Sequence, residues 1–345
     1  MKTIVSGTEL SELELKPALM VSQWRNLVET EIAVRWQDRS HWITVGLPKC
    51  DQKHITPAFE KCGITYFECR SCGSLFAPHR PSEDELSDYY RESAPAQFWR
   101  EQLLLSGAEA RLEKLTRPRA DWIQTGIAEY RPEASRLVDI SPHGRELLDL
   151  LVSENHDLKK IVAAGIAPDL DGPTTTRIKV LPCRTGDLPS IGPVDVIVAI
   201  DALDRAADCE VLIKAWADLL AVGGIIFATV PVASGFEIQT LWDQSPTVLP
   251  PDKINLPSIK GLQQFFAEPT WEILELSTPG MFDVEIVRRA IELGPTRPWP
   301  RVVRSLIEPT SKQEQFSLVE LLQSRRLTSF ARLVVRKKVL CWPKS

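Results

Sequence analysis

The spacing of apolar positions divides the chain into a helical start, a small irregular region and a long run of alternating strands and helices. Residues 12–38 place Trp24, Ile32 and other apolar side chains at helical spacing, which predicts an amphipathic helix or two. Residues 47–81 are rich in Cys, Gly and Pro and carry two short β-like runs, ITYFEC and SLFAP. Helical spacing then resumes over residues 82–130.

From residue 136 the pattern is that of an α/β protein. The runs RLVDI, KIVAAGIA, KVLP, VDVIVAID and GGIIFATVP are mostly apolar, and helical patterns such as ELLDLLVSE stand between some of them. Apolar strands that alternate with helices predict a mainly parallel sheet with helices on both faces. Two late strands, WEILELST and FARLVVRKK, are expected to add an antiparallel edge to this sheet.

Composition and charge narrow the classes of function. The chain has 345 residues, of which 43% are hydrophobic and 25% charged, and its net charge is −5. This acidic balance argues against a nucleic-acid partner, because nucleic-acid-binding domains usually carry a basic face. No apolar run approaches the ~20 residues that span a bilayer, so no membrane partner is expected. The start of the chain lacks the apolar segment of a secretory signal, and we expect a cytoplasmic protein.

The cysteines of residues 47–81 are candidate metal ligands. Cys69-Arg-Ser-Cys72-Gly73 is a C-x-x-C-G turn, whose two thiolates can bind one tetrahedral zinc ion. A structural zinc site needs four ligands, and two further cysteines lie upstream. The predicted zinc ligands are Cys50, Cys62, Cys69 and Cys72, with His54 as an alternative to Cys62. The competing interpretation is a knuckle that holds no metal and is stabilised by its aromatic side chains.

Several separate stretches resemble one protein family in their order and spacing. They are YFECRSCGSLFAPHRPSEDELSDYY, FWREQ, RLEKLTRPRADWI, LLAVGGIIFATVPVASGFEIQTLW, STPGMFDVEIV and LLQSRRLTSFARLVVRKK. Together they resemble zinc-knuckle class I S-adenosylmethionine (SAM)-dependent methyltransferases, a group that includes deoxysugar C-methyltransferases. The resemblance implies a Rossmann-like methyltransferase core. The expected segments are a helical segment (1–46), a zinc-knuckle-like region (47–81), a helical connector (82–130), the core (131–295) and a C-terminal extension that completes the sheet (296–345).

The cofactor loop departs from the pattern of this family. Members read D-x-G-x-G-x-G, which lets the backbone approach SAM closely. This chain keeps Asp139 but has Ser141, His143 and Arg145 at the three glycine positions, with Gly144 between the last two. Arg145 also brings a cation towards the site of a sulfonium cation, which is unfavourable.

The resemblance also assigns other cofactor positions. Gly165 stands where the family has an acid that binds the ribose hydroxyls. The candidate cofactor-binding residues are therefore Asp139, Ser141, Gly144 and Asp187, the last of them near adenine. For Asp139 and Ser141 the alternative is capping of the following helix, and for Asp187 it is a solvated loop carboxylate.

The positions of the family's catalytic histidines are also altered. The family reads E-x-x-E-H where this chain reads DALDR, and P-P-H-H-L-N where it reads PPDKIN, while Phe330 stands at a fourth His of the family. An imidazole titrates near neutral pH and suits general-base work. The remaining candidate catalytic residues are Asp201, Asp204 and Lys253, although a loop carboxylate is an equally ordinary reading of Asp201.

Two functions follow from these observations. The first is a pseudo-methyltransferase, a binding or partner subunit in sugar modification that accompanies an active homologue or holds a nucleotide-sugar. The alternative is an active SAM-dependent methyltransferase with an altered site, acting on a sugar or small molecule. The segments that shape the fold are intact while those that would contact cofactor and proton are changed, which favours the first.

Overall fold

The computed structural model describes residues 11–142, 145–165, 177–267, 269–293, 299–308 and 311–338. Its strands are β1 (Ile43–Thr44), β2 (Ile55–Lys61), β3 (Ile64–Cys69), β4 (Leu75–Phe76), β5 (His79–Arg80), β6 (Arg136–Asp139), β7 (Lys160–Gly165), β8 (Ile178–Pro182), β9 (Val194–Ile200), β10 (Leu220–Pro231), β11 (Asn255–Leu256), β12 (Trp271–Ser277) and β13 (Phe330–Lys337). Within these residues, no helix is both long enough and apolar enough to cross a bilayer.

The helices cover the N-terminal part of the chain and flank the strands. They are α1 (Glu12–Leu15), α2 (Ala18–Arg35), α3 (Glu83–Glu92), α4 (Ala94–Phe98), α5 (Leu104–Ser106), α6 (Ala108–Arg111), α7 (Arg117–Tyr130), α8 (Arg145–Glu154), α9 (Cys209–Leu219), α10 (Phe236–Leu241), α11 (Ile259–Phe265), α12 (Asp283–Glu292), α13 (Arg301–Ile307) and α14 (Lys312–Ser324). Two π-helical stretches, Trp99–Leu103 and Leu112–Thr116, join the short helices before α7. A capping box of Ser82 and Glu85 begins α3.

The central sheet has seven strands in the order β12-β13-β10-β9-β6-β7-β8. Strand β13 runs antiparallel to both of its neighbours, and the other pairs are parallel. This arrangement confirms the predicted α/β, Rossmann-like fold class. The chain moves outwards from β6 in both directions, so the carboxyl end of β6 is a topological switch point, where open α/β sheets bind ligands.

Both faces of the sheet are buried, which explains the continuous apolar runs. On β9, Ile197 and Ala199 belong to one core and Val196 and Val198 to the other. Helix α7 packs closely on the second face, because a Cβ atom on Gly126 would lie 2.5 Å from the ring of Phe227. Side chains that alternate between two cores leave no polar face, so the strand shows no period of two in its hydrophobicity.

The late strands differ in detail from the prediction. Strand β13 is antiparallel as expected, but it lies inside the sheet, between β10 and β12. The edge strand is β12, which runs in the same direction as the parallel set because it is antiparallel to β13. The two late strands thus pair antiparallel to each other and extend one side of the sheet, where β13 is antiparallel to β10.

A smaller sheet carries the cysteine region. Its strand order is β11-β4-β3-β2, and β1 pairs with β5 beside it. Strand β2 was not expected from the sequence, because Pro57 and the charged residues of ITPAFEK obscure its pattern. Arg80 at the end of β5 is fully buried and donates to Asn255 Oδ1 on β11 (2.6 Å) and to the carbonyl of Ala206 in the loop after β9 (3.2 Å).

Candidate functional site

A cavity of about 560 Å³ opens at the carboxyl ends of the central strands. Ile140, Gly165 and Pro182, at or just beyond the ends of β6, β7 and β8, line its floor. The helices of the N-terminal part supply aromatic walls, including Trp24, Tyr90 and Trp99, and the loop after β9 supplies Ala202, Arg205 and Ala206. The cavity therefore lies at the switch point of the sheet and has the size of a small-ligand site.

At the end of β6, Asp139 and Ser141 bind each other. The amide of Ser141 donates to Asp139 Oδ1 (2.8 Å), and its hydroxyl donates to the same oxygen. The hydroxyl also accepts from the amide of Ile200 at the end of β9 (2.9 Å). Burial raises the pKa of Asp139 to about 6 against the effect of these hydrogen bonds. This Asp139–Ser141 pair joins the end of β6 to the end of β9.

The other predicted cofactor residues contribute little to the cavity. Gly165 lines the cavity, and a Cβ atom built there meets nothing within 4 Å. The place where the resemblance implies an acid that binds the ribose hydroxyls is therefore open space. Asp187 is exposed and does not line the cavity. Gly144 lies outside the described residues, as does His143.

Two ion pairs join the loop after β9 to the loop before β11. Asp204 is fully buried and pairs with Lys253. Arg205 pairs with Asp252 at 3.4 Å, and both side chains are about nine-tenths buried. In the family that the sequence resembles, positions 205, 252 and 253 hold histidines. Here the same three positions carry charges that neutralise neighbours.

The charged groups shift one another's pKa values. Burial raises the pKa of Asp204 to about 6, although Lys253 acts in the opposite direction. Burial would also raise the pKa of Asp201, but the positive charges of Lys253 and Arg119 outweigh it and hold the pKa at about 2. Asp201 accepts a hydrogen bond from the Thr229 hydroxyl (2.9 Å) and has a left-handed backbone conformation (φ 53°). The structure thus brings the predicted catalytic residues Asp201, Asp204 and Lys253 together, although none of them lines the cavity.

The cavity residues that sequence reasoning missed are mostly aromatic and cationic. The guanidinium of Arg205 lies 5.3 Å from the ring centroid of Tyr90, and Lys16 Nζ lies 5.3 Å from that of Trp99. Arg100 donates to the carbonyl of Tyr90 (2.6 Å). Tyr90, Trp99 and Arg100 come from helices far from the strand ends in sequence, and their spacing alone marks them as ordinary helix residues.

The small sheet gathers three of the four predicted zinc ligands. The Sγ atoms of Cys50, Cys69 and Cys72 all lie within 4.8 Å of one another, and those of Cys50 and Cys72 are 3.7 Å apart. Cys62 does not join them, because it occupies the turn between β2 and β3, while Cys69 pairs with Ile55 at the opposite end of this hairpin. The predicted ligand set is corrected to these three cysteines. Among the described residues, no further His, Cys, Asp or Glu belongs to the cluster.

Comparisons with known proteins return likenesses in structure only. No protein-family model matches the sequence, and no curated protein matches it. The plantazolicin methyltransferase BpumL, solved in complex with SAH, is 11% identical over 74% of this chain and 95% of its own, with a TM-score of 0.45. The plantazolicin methyltransferase BamL is 9% identical over 74% and 96%, with a TM-score of 0.44.

A sugar methyltransferase is also among the matches. CalS10, an amino pentose methyltransferase from Micromonospora echinaspora, is 18% identical over 36% of this chain and 55% of its own, with a TM-score of 0.28. Likenesses at this level establish no activity, so the chemistry of this chain has to be argued from its own side chains.

Proposed function

We propose that this protein is a methyltransferase-fold binding subunit that does not carry out standard methyl transfer. The observation that carries the proposal is the pair of ion pairs, Asp204–Lys253 and Arg205–Asp252, between the two loops. A general base needs a free lone pair near the reacting proton. Here Arg205 and Asp252 neutralise each other and Lys253 pairs with Asp204, so these groups stabilise the contact between the loops instead.

The charges around the cavity do not fit a sulfonium ligand either. The rings of Tyr90 and Trp99, which could attract a cation, already have Arg205 and Lys16 over them. The two acids of the cavity wall are engaged elsewhere, because Glu83 accepts from the Thr185 amide (2.8 Å) and Asp252 pairs with Arg205. An uncharged or anionic ligand suits this cavity better than SAM.

Purified protein is therefore expected to bind SAM with a dissociation constant weaker than about 1 mM. Three features weaken the binding of SAM. Gly165 offers no carboxylate to the ribose hydroxyls, the Asp139 carboxylate is already bonded to Ser141, and cations already lie over the aromatic walls. Isothermal titration with SAM and with S-adenosylhomocysteine measures this directly. A micromolar constant for SAM would contradict the proposal.

The second candidate is an active SAM-dependent methyltransferase that acts on a sugar or small molecule. The observation that favours it is the intact cavity at the switch point of the sheet, where cofactors bind in this fold. In that case Asp201, whose pKa is held near 2, would bind the acceptor as a carboxylate. Two results together would establish this alternative. The wild type and the Asp201→Asn variant would both bind SAM at micromolar concentration, and the variant would no longer transfer the methyl group.

We also propose that the cysteine cluster binds zinc. Two sulfurs that each lie about 2.3 Å from a zinc ion at the tetrahedral angle are about 3.8 Å apart. The 3.7 Å between Cys50 and Cys72 matches this value. The amides of Cys72 and Gly73 both point at the carbonyl of Cys69, which closes the tight turn of a knuckle. Zinc would stabilise the small sheet, with solvent or His54 as the fourth ligand.

Elemental analysis should find one zinc ion per chain. Cys69→Ser is expected to lose the metal and to lower the melting temperature, because the ion no longer links β3 to the segment around Cys50. Cys62→Ser is the matched control and should retain a full zinc ion, since Cys62 lies at the far turn. A loss of zinc in the Cys62 variant, or zinc-free wild-type protein, would count against this ligand set.

A further inference from the structure

A buried carboxylate that does not line the cavity lies in the first turn of α10. Glu237 is fully buried, and its Oε1 accepts a hydrogen bond from the Ser245 hydroxyl (2.6 Å). The oxygen of this hydroxyl accepts from the Val248 amide (3.3 Å), so its single proton is free to serve Glu237. Among the described residues, the buried Oε2 of Glu237 has no hydrogen-bond partner, although the Thr247 hydroxyl is near enough to favour the charged form.

The start of α10 offers no free donor to this carboxylate. The first three amides of the helix are taken by other acceptors: that of Phe236 by the Leu327 carbonyl (2.6 Å), that of Glu237 by Asp283 Oδ1 (3.1 Å) and that of Ile238 by Ser329 Oγ (3.3 Å). Asp283 on α12 is buried as well, so it places a second negative charge near Glu237. A charge on Glu237 is therefore poorly compensated by its own helix and by α12.

Two cations face Glu237, but neither forms an ion pair with it. Lys61 at the end of β2 donates instead to the Ser245 carbonyl, and Arg25 lies on α2. Among the described residues, no ion pair includes Glu237. Both cations also face other charged or titratable groups, which are Cys62 and Asp243 for Lys61, and Glu12, Glu29 and Arg289 for Arg25.

This environment favours a proton on Glu237 in the folded state. Burial and the charge of Asp283 raise the pKa of Glu237 to about 7, against the effects of the Ser245 and Thr247 hydroxyls and of Lys61. The ordinary value is 4.5, so the folded chain binds this proton more tightly than the unfolded chain. Stability from this group is present below the unfolded pKa and is lost as the pH rises through 7.

The hydrogen bond from Ser245 holds the start of a loop that reaches the cavity. This loop, residues 242–252, leads from the end of α10 to Asp252 in the cavity wall. Trp242 at its start has a left-handed backbone conformation (φ 56°), which is strained for a bulky residue. The ring of Trp242 packs edge-on against Phe59 of β2, with 5.4 Å between the centroids. The loop is therefore a strained segment that depends on its contacts for its position.

We propose that Glu237 is a proton-operated latch: its neutral carboxyl group holds the 242–252 loop against α10, and its ionisation releases that loop. The neutral group keeps its hydrogen bond with Ser245 and has no charge to be hydrated. The ionised group is a buried charge without a partner, and it is stabilised only when water or the Lys61 ammonium reaches Oε2. Either change weakens the attachment of Ser245 to α10 or to β2. This regulation goes beyond the proposed binding function and does not depend on it.

Hydrogen exchange of a peptide that contains Val248 tests the latch. At pH 6 the wild type and Glu237→Gln should protect this amide equally, because glutamine is an uncharged isostere of the neutral carboxyl group. At pH 8.5 the wild type should exchange about tenfold faster than this variant at the same pH, because only its loop is released. Glu320→Gln, an exposed substitution on α14, is the matched control and should behave as the wild type. Equal exchange by the wild type and Glu237→Gln at pH 8.5 overturns the latch.

Arg25→Met tests the charge that controls the latch. This variant removes a cation that faces Glu237, so its loop should open at a higher pH than that of the wild type. The same series of exchange measurements between pH 6 and pH 8.5 gives this value. Opening at an unchanged or lower pH contradicts the proposal.

Chemical denaturation separates the latch from a purely structural glutamate. The unfolding constant of the wild type, divided by that of Glu237→Gln, should rise about tenfold or more from pH 5 to pH 8, because only the wild type releases a proton from this position on unfolding. A purely structural role would make this ratio independent of pH, and that result overturns the proposal. Neither assay involves SAM, so micromolar SAM binding would overturn the proposed function and leave the latch standing.

Discussion

Replacing Arg80 by methionine is expected to lower the free energy of unfolding by about 3 kcal/mol. The guanidinium is fully buried, and its Nε donates to the carbonyl of Ala77 while its Nη1 donates to Asn255 Oδ1. Methionine would fill much of the space but would leave both acceptors buried without a donor, at about 1–3 kcal/mol each. Relief of the desolvation of the charge offsets part of this loss, since burial already lowers the pKa of Arg80 to about 10.

Chemical denaturation measures the loss, with Arg70→Met as the matched control. Arg70 lies in the turn just after β3 and is exposed, so its replacement should change stability by less than about 0.5 kcal/mol. Arg80→Lys should recover little, because an ammonium cannot donate in the several directions that the planar guanidinium uses. Since Ala206 and Ala207 line the cavity and accept from Arg80, the variant should also lose affinity for any cavity ligand. Equal stability of the two methionine variants would show that the buried hydrogen bonds of Arg80 do not stabilise the fold.

Replacing Lys253 by methionine is expected to cost about 3 kcal/mol at pH 8. Asp204 is fully buried, so the loss of its partner leaves an uncompensated carboxylate, for which about 3–5 kcal/mol is typical. The lower end applies because 18% of the Lys253 side chain is exposed and partly screened by solvent. The double variant Asp204→Asn, Lys253→Met should recover most of the loss, which defines a double-mutant cycle.

The same variant should show a distinct pH dependence. The pKa of Asp204 is about 6 in the folded protein, above the unfolded value of 3.8, so the folded state binds the extra proton. Stability from this group is present below the unfolded pKa and is lost as the pH rises through 6. Removal of Lys253 raises the folded pKa further, since Lys253 lowers it. The destabilisation should therefore be smaller at pH 5 than at pH 8, and a loss independent of pH would contradict the ion pair as its cause.

The sequence predicted most of the central sheet because its strands are buried on both faces. The runs around Val138, Ile197 and Phe227 are apolar at every position, and such runs remain visible without knowledge of their neighbours. The position of β13 inside the sheet was missed, because strand order depends on contacts between segments distant in sequence. The hairpin strand β2 was missed because Pro57 and its charged neighbours resemble a loop.

The sequence by itself determined the fold class and named the three cysteines that meet. Local patterns and the resemblance to a family suffice for these, since each depends on residues that are adjacent in sequence or on matching motifs. Only the tertiary structure decided which charges are partners. It paired Asp204 with Lys253 and Arg205 with Asp252, and it removed Cys62 from the cluster. Which charges become partners depends on distances of a few ångströms between elements that are remote in sequence. The energy of a charge depends on those distances and on its burial, and the linear sequence contains neither quantity.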